Sequence, residues 1–162
     1  MIPFTKEAVQ QGLHMFSKAV LASLLLLFWF CFLYSLWHRI PYPFELDWLE
    51  GEILCHIIRL LNGQSIYPQP SMQFIAEMYT PLYYIVCALP CMFLGTDFLA
   101  PRLISLAACC IIVFILYRIS IRENCSRFSG LLCCSLFISF YNLHGPWYDV
   151  GRVDMLFFMF LL

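Results

Sequence analysis

Apolar stretches divide this chain into blocks. Apolar runs occupy residues 19–37, 81–95, 98–117 and 128–143, and a fifth begins at Met155. The run 19–37 is close to the ~20 residues a helix needs to cross a bilayer, and too long for the hydrophobic part of a secretory signal. Lys6 and Lys18 precede it, and small residues do not mark a cleavage site at its far end. It therefore predicts an uncleaved anchor. The run 81–95, PLYYIVCALPCMFLG, is shorter and contains Pro90; a short helix with an internal proline spans poorly. The last run, MLFFMFLL, is too short to cross, which leads to the expectation that the chain is a truncated protein or a fragment.

Charge placement turns these blocks into a topology. Arg118, Arg122 and Arg127 surround one acid, Glu123, and short basic loops stay cytoplasmic. Lys6 and Lys18 place the N-terminus on the same side, so an even number of crossings separates the two. The block 81–95 is then expected along the outer interface, where Tyr79, Tyr83 and Tyr84 suit an aromatic belt. The fold class expected is all-α: a polytopic membrane helix bundle of about four transmembrane helices (19–37, 98–117, 128–143 and an incomplete 153–162). Two interfacial helices, 48–62 and 81–95, lie in the outer loop 38–97.

Within that loop, WLEGEILCHIIRLLN reads as amphipathic. Leu49, Ile53, Ile57, Leu60 and Leu61 fall on one side, with Glu52, His56 and Arg59 on the other. Gly63 is a plausible stop.

Composition agrees. Of 162 residues, 62% are hydrophobic and 12% charged, against roughly 25% charged in soluble domains. The net charge of −1 offers no basic field for nucleic acid. The 9 cysteines include no CxxC pair and sit mostly in apolar runs, as Cys31, Cys109, Cys110, Cys133 and Cys134 do; there they act as small hydrophobes.

Acids are distributed unevenly. The outer loop carries Glu45, Asp47, Glu50, Glu52, Glu77 and Asp97, six of the ten acids in the chain. In PYPFELDWLEGE (41–52), Asp47 and Glu50 have the spacing of a capping box. A cap explains one or two carboxylates, not four. If the helix already runs at residue 50, Glu50 faces the apolar side, where a carboxylate needs a partner or a function. The other reading is chemical. A carboxylate in a partly dry cleft can deprotonate a hydroxyl nucleophile, and several converging oxygens can hold a hard divalent cation. Asp47, Glu50 and Glu77 could serve either, so a divalent cation is compatible with them; no other cofactor is called for.

A second cluster is GPWYDVGRVDML (145–156). Arg152 and Asp154 read either as an ion pair anchoring a helix end or as a phosphate-binding guanidinium beside a carboxylate that faces the same cleft as Asp47. His38, His56 and His144, near the outer interface, read as polar anchors rather than metal ligands.

The order of these features resembles a known family. An N-terminal membrane helix leads to an acidic loop whose helix ends in LLNG. YTPLYY follows, then GTDFLAPRLISLAACCIIVFILYRI, then GRVDML. The chain from about residue 19 onward resembles the N-terminal part of polytopic GT-C glycosyltransferases. It is most similar to the bacterial branch related to protein O-mannosyltransferases and to the aminoarabinose and galacturonic acid transferases of lipid A. The resemblance implies a multi-pass protein of the bacterial inner membrane, several times longer than this chain. Such proteins take a sugar from a polyprenyl-phosphate carrier and pass it, with inversion, to an acceptor on the periplasmic side. It implies a catalytic carboxylate in the first outer loop: Asp47 looks like it. Glu50 is the rival, since relatives carry Asp-Glu-Gly where this chain has Leu49-Glu50-Gly51. Asp154 matches an acid opening the helix after the second outer loop. Glu77 is similar to a family acid before a Pro-Pro pair, although Thr80 replaces the first Pro here. Glu77, Tyr79 and Arg152 make up the expected substrate-binding set.

Two further readings remain beside it. One is a catalytically inactive structural or interaction membrane protein. The other, a transporter subunit, fits less well, because the charges cluster at one face rather than at mid-membrane.

Overall fold

The computed structural model describes residues 6–76, 79–123, 126–143 and 145–162. Among them the fold is all-helical: α1 (Lys6–Arg39), α2 (Trp48–Leu61), α3 (Leu82–Leu94), α4 (Leu99–Arg122), α5 (Arg127–Ser139), a 3-10 turn (Phe140–Asn142) and α6 (Val153–Leu161).

The chain enters α1 far earlier than the apolar run 19–37 suggested. Its first turns are rich in straight-chain residues (Gln10, Gln11, Leu13, Met15) and free of proline, so nothing delays helix formation until the hydrophobic core of the segment. At 34 residues the helix is about 51 Å long. Most of it is exposed, including Leu24, Leu26, Leu27, Phe28 and Phe30. Only its last turns pack: Phe32 and Leu36 are buried, Phe32 meets the Tyr141 ring edge-on at 5.0 Å, and Trp29 donates to the Ser135 hydroxyl at 2.9 Å. A helix apolar all round suits hydrocarbon, where its backbone is already satisfied internally.

Among the described residues two helices are long and apolar enough to cross a membrane, Val9–Arg39 and Leu99–Arg122. The other expected crossings come out shorter. The segment 128–143 forms α5 of 13 residues and then tightens into the 3-10 turn. Ser135 and Ser139 return their hydroxyls to the Leu131 and Leu136 carbonyls (2.7 and 2.8 Å), a local bond that competes with regular helix. The segment 81–95, expected as a helix, forms α3, which runs through Pro90 and stops at Gly95.

Helix α4 is the hub. It packs on α3, α5 and α6, while α2 packs on α3 and α1 on α5. Gly130 allows α5 to approach α4, since a Cβ there would lie 2.9 Å from the Tyr117 ring.

Helix α2 matches the expected span but not the expected faces. His56, placed on its polar side, is fully buried. It stacks on Tyr84 at 4.7 Å, faces Phe74, and its Nδ1–H donates to the Glu52 carbonyl at 2.7 Å. The helix is covered from two directions, by α3 and by the loop carrying Phe74, so a single apolar stripe underestimates what it buries. Gly63 ends it with a positive φ of 68°, as its position suggested.

The C-terminus of α1, the N-termini of α2, α4 and α6, and the turn after α5 all meet at one end of the bundle. Arg39 reaching Asp149, Arg102 reaching Glu50 and the Arg39 carbonyl, and Arg152 reaching Asp47 tie these ends together.

Candidate functional site

Three arginines organise that end, each at the end of a different helix. Arg102, in the first turns of α4, is completely buried. Its Nε and Nη2 donate to the two oxygens of Glu50 at 2.8 and 2.7 Å. Nη1 and Nη2 also donate to main-chain carbonyls at the end of α1 and in the connector after it: Arg39, Ile40 and Tyr42, and Phe44 at 2.7 Å. A cation there meets the negative pole of α1 and satisfies carbonyls that the ended helix leaves open. Arg39, the last residue of α1, binds Asp149 (Nε to Oδ2, 2.7 Å) and the Pro146 carbonyl; Tyr141 donates to the same carboxylate at 2.9 Å.

Arg152 precedes α6 and forms the third node. Its Nη1 donates to both Asp47 oxygens (3.1 and 3.2 Å) and its Nε to Asp154 (2.8 Å). The guanidinium lies over Trp147, 4.3 Å from the ring centroid. The Arg152 carbonyl accepts from Ser105, whose hydroxyl also contacts Tyr83 at 2.8 Å.

The sequence candidates thus separate into two groups. Asp47 and Asp154 come together at the rim, with side chains 15% and 30% exposed, and Arg152 holds both. Asp47 also caps α2, accepting from the Leu49 N–H at 3.1 Å. Glu50 is elsewhere. It lies inside the helix on its buried side, and does not close a capping box on Asp47. Its Oε2 accepts instead from the Leu46 N–H at 2.8 Å, and its Oε1 from the Gly151 N–H at 2.8 Å. With the two Arg102 bonds, four donors converge on this one carboxylate.

The electrostatics follow. Burial alone would raise the Glu50 carboxyl, but the Arg102 hydrogen bond, the Gly151 and Leu46 amides and the Arg102 charge outweigh it and hold the group below the ordinary 4.5. For Arg152, burial pulls the other way and is likewise outweighed, by the Asp154 hydrogen bond and the charges of Asp154 and Asp47; its guanidinium is held more firmly protonated.

Asp154 lines two clefts on either side of α6. One, about 450 Å³, is walled by Tyr79, Leu82, Tyr83, Leu156, Phe157 and Phe160. The other, about 520 Å³, runs between α4, α5 and α6 past Leu116, Phe137, Trp147 and Phe158. Tyr79 and Asp154 therefore line the same cleft. Glu77 and His144 lie outside the described residues. His38 is exposed and meets only the Tyr34 ring edge-on among the aromatic contacts described.

The carboxylates among the described residues do not form a divalent-cation site. Among the described residues no three His, Cys, Asp or Glu side chains converge to hold a metal. The Glu50 oxygens are taken by Arg102 and two amides, and a guanidinium already stands between Asp47 and Asp154.

Sequence reasoning passed over Arg39, Arg102 and Tyr141, and counted Asp149 only as one acid among several. A signal existed for Arg102: it is the one charge inside the apolar block 98–117, and an ionisable group within such a block demands a partner.

Comparison of the chain with protein-family models, characterised proteins and solved structures finds no match.

Proposed function

We propose that this chain forms the N-terminal, carrier-facing part of an inverting membrane glycosyltransferase. In this reading it transfers a sugar from a polyprenyl-phosphate carrier to a hydroxyl acceptor at the outer face of the bacterial inner membrane. α1 and α4 cross it, 128–143 and the segment from 153 supply further crossings, and the N-terminus is cytoplasmic. The observation that supports it best is the meeting of Asp47 and Asp154, remote in sequence, on one arginine at the mouth of two apolar clefts. A cleft with greasy walls and a charged rim suits an amphiphile with a phosphate head.

The chemistry assigns each group a task. The lipid phosphate exchanges one arm of Arg152 away from Asp47, because the guanidinium fork matches phosphate oxygens. The freed carboxylate accepts the acceptor hydroxyl proton as the oxygen attacks the anomeric carbon. The bond from that carbon to the phosphate oxygen breaks on the opposite face, and its electron pair leaves with the polyprenyl phosphate. Arg152 offsets the charge that develops there. Asp154 keeps Arg152 oriented while the contact with Asp47 is broken.

The test is donor-dependent sugar transfer by the full protein in membrane vesicles. Asp47→Asn retains the helix cap but loses the base, and transfer should fall by about 100-fold or more. Asp154→Asn should weaken binding of the carrier as well as turnover. Wild-type rates in both variants would refute the reading.

A structural role is the second reading, favoured by one observation: Asp47, Glu50, Asp149 and Asp154 all pair with arginines of the same chain. On that reading Asp47→Asn alters stability and no donor is ever turned over.

A further inference from the structure

We infer that Glu50, clamped by Arg102, is the positioning residue that holds the two limbs of the site in register. The inference rests on the transferase reading above. Glu50 accepts the main-chain N–H of Leu46, one residue before Asp47, and the main-chain N–H of Gly151, one residue before Arg152. These two amides come from the loops on either side of the cluster, and one carboxylate fixes both. Arg102 holds that carboxylate by two bonds and grips the connector 40–44 through its carbonyls. The spacing between the Asp47 carboxylate and the Arg152 guanidinium is therefore set from beneath by a group that reaches neither substrate nor solvent.

Gly151 is the matching half of the device. A Cβ at this position would lie 2.8 Å from the Pro101 Cβ and 3.5 Å from Glu50 Oε1. Only a bare backbone comes close enough to α4 for its N–H to reach Glu50. A methyl group here pushes the Arg152 limb away from α4 without changing any charge. The two halves can therefore be perturbed independently.

The pair differs from an ordinary stabilising salt bridge in what it should control. Displacing a reacting group by about 1 Å costs on the order of 100-fold in turnover, while binding remote from the reacting atoms survives. Glu50→Gln should therefore lower kcat about 100-fold and leave the KM for the lipid-linked donor within about threefold. Gly151→Ala should lower kcat to a similar degree with Glu50 intact, and should also raise the KM for the donor, because the limb it displaces carries Arg152. A second readout needs no activity. Hydrogen exchange should quicken at the amides of Leu46, Gly151 or both in Glu50→Gln, and at Gly151 in Gly151→Ala, with the amides of α4 still protected. The α4 amides report whether each variant is folded. Should Glu50→Gln fail to fold, Gly151→Ala decides alone. Retained kcat in a folded variant, or unchanged exchange at both amides, overturns the positioning role. A full wild-type protein that turns over no donor, together with the exchange changes in the two variants, sinks the transferase reading and leaves the clamp as a structural fact.

Discussion

Glu50 makes this fold sensitive to acid. Its carboxyl is held below 4.5 in the folded chain, so the stability it contributes is complete above that value. That contribution is lost as pH falls through the lowered folded-state value, because protonation breaks the Arg102 pair and leaves a guanidinium buried. Thermal unfolding in detergent, followed from about pH 7 down to about pH 3, should show stability falling at the acid end. Glu50→Gln should be less stable at neutral pH, by about 3–5 kcal/mol for a buried pair losing one partner, and flatter with pH. An unchanged acid limb in Glu50→Gln would assign the sensitivity to another group. At this scale the sequence was partly readable. Asp47 stands out at the cap position of an amphipathic helix, and Arg152 and Asp154 as charged residues just before an apolar block. The sequence put Glu50 on the apolar side of a helix that runs through residue 50, where it needs a partner; the partner, Arg102, was not readable, since its distance from Glu50 in the chain hides the contact. Arg39 and Asp149 are hidden in the same way.

Helix ends and helix contacts make their own predictions. Asp47 is both a cap and a member of the rim cluster, and substitutions can separate the two roles. Asn can still accept from the Leu49 N–H; Ala cannot, and should cost α2 about 1 kcal/mol more in thermal unfolding. Equal stability of the two variants would show that the cap contributes nothing. At the α4–α5 contact, Gly130→Leu forces the Tyr117 ring out of its place and should destabilise the bundle by about 1–3 kcal/mol. Unchanged melting would mean that Tyr117 moves aside freely. Hydrophobic periodicity located α2, α3, α4 and α6 well, because apolar blocks mark what is buried. It missed where α1 begins and where α4 and α5 stop. Those limits depend on local propensity and on serine hydroxyls that bond back to the helix, neither of which alters the apolar pattern. It also misassigned His56, because a helix wrapped on two sides hides polar and aromatic positions that a one-stripe view leaves outside.

The whole molecule has a polar end and an apolar shaft, and this polarity can be tested without reference to any reaction. Helix α4 has 24 residues, about 36 Å, which exceeds the ~30 Å hydrocarbon core. Its N-terminal turns carry Arg102, bonded to the end of α1, and its C-terminal turns carry Arg118 and Arg122. Helix α5 then returns alongside it. Gly130 meets Tyr117 near one end, and Tyr141, just beyond the other, meets Asp149 beside Arg39. Phe44 and Leu143, both strongly exposed, therefore belong to the same end, and Arg122 to the opposite one. In sealed vesicles with the native cysteines replaced, Phe44→Cys and Leu143→Cys should react with a membrane-impermeant maleimide from one side. Arg122→Cys should react only from the other, which on the proposed topology is the cytoplasmic side. Labelling of Phe44→Cys and Arg122→Cys from a common side would mean that α4 lies along the membrane rather than through it. The clefts beside Asp154 would then open to water instead of to lipid, and an amphiphilic donor would have no reason to bind there. Opposite-side labelling puts the arginine-held carboxylates at the surface where a carrier's phosphate would sit, with the apolar clefts running into the hydrocarbon below it.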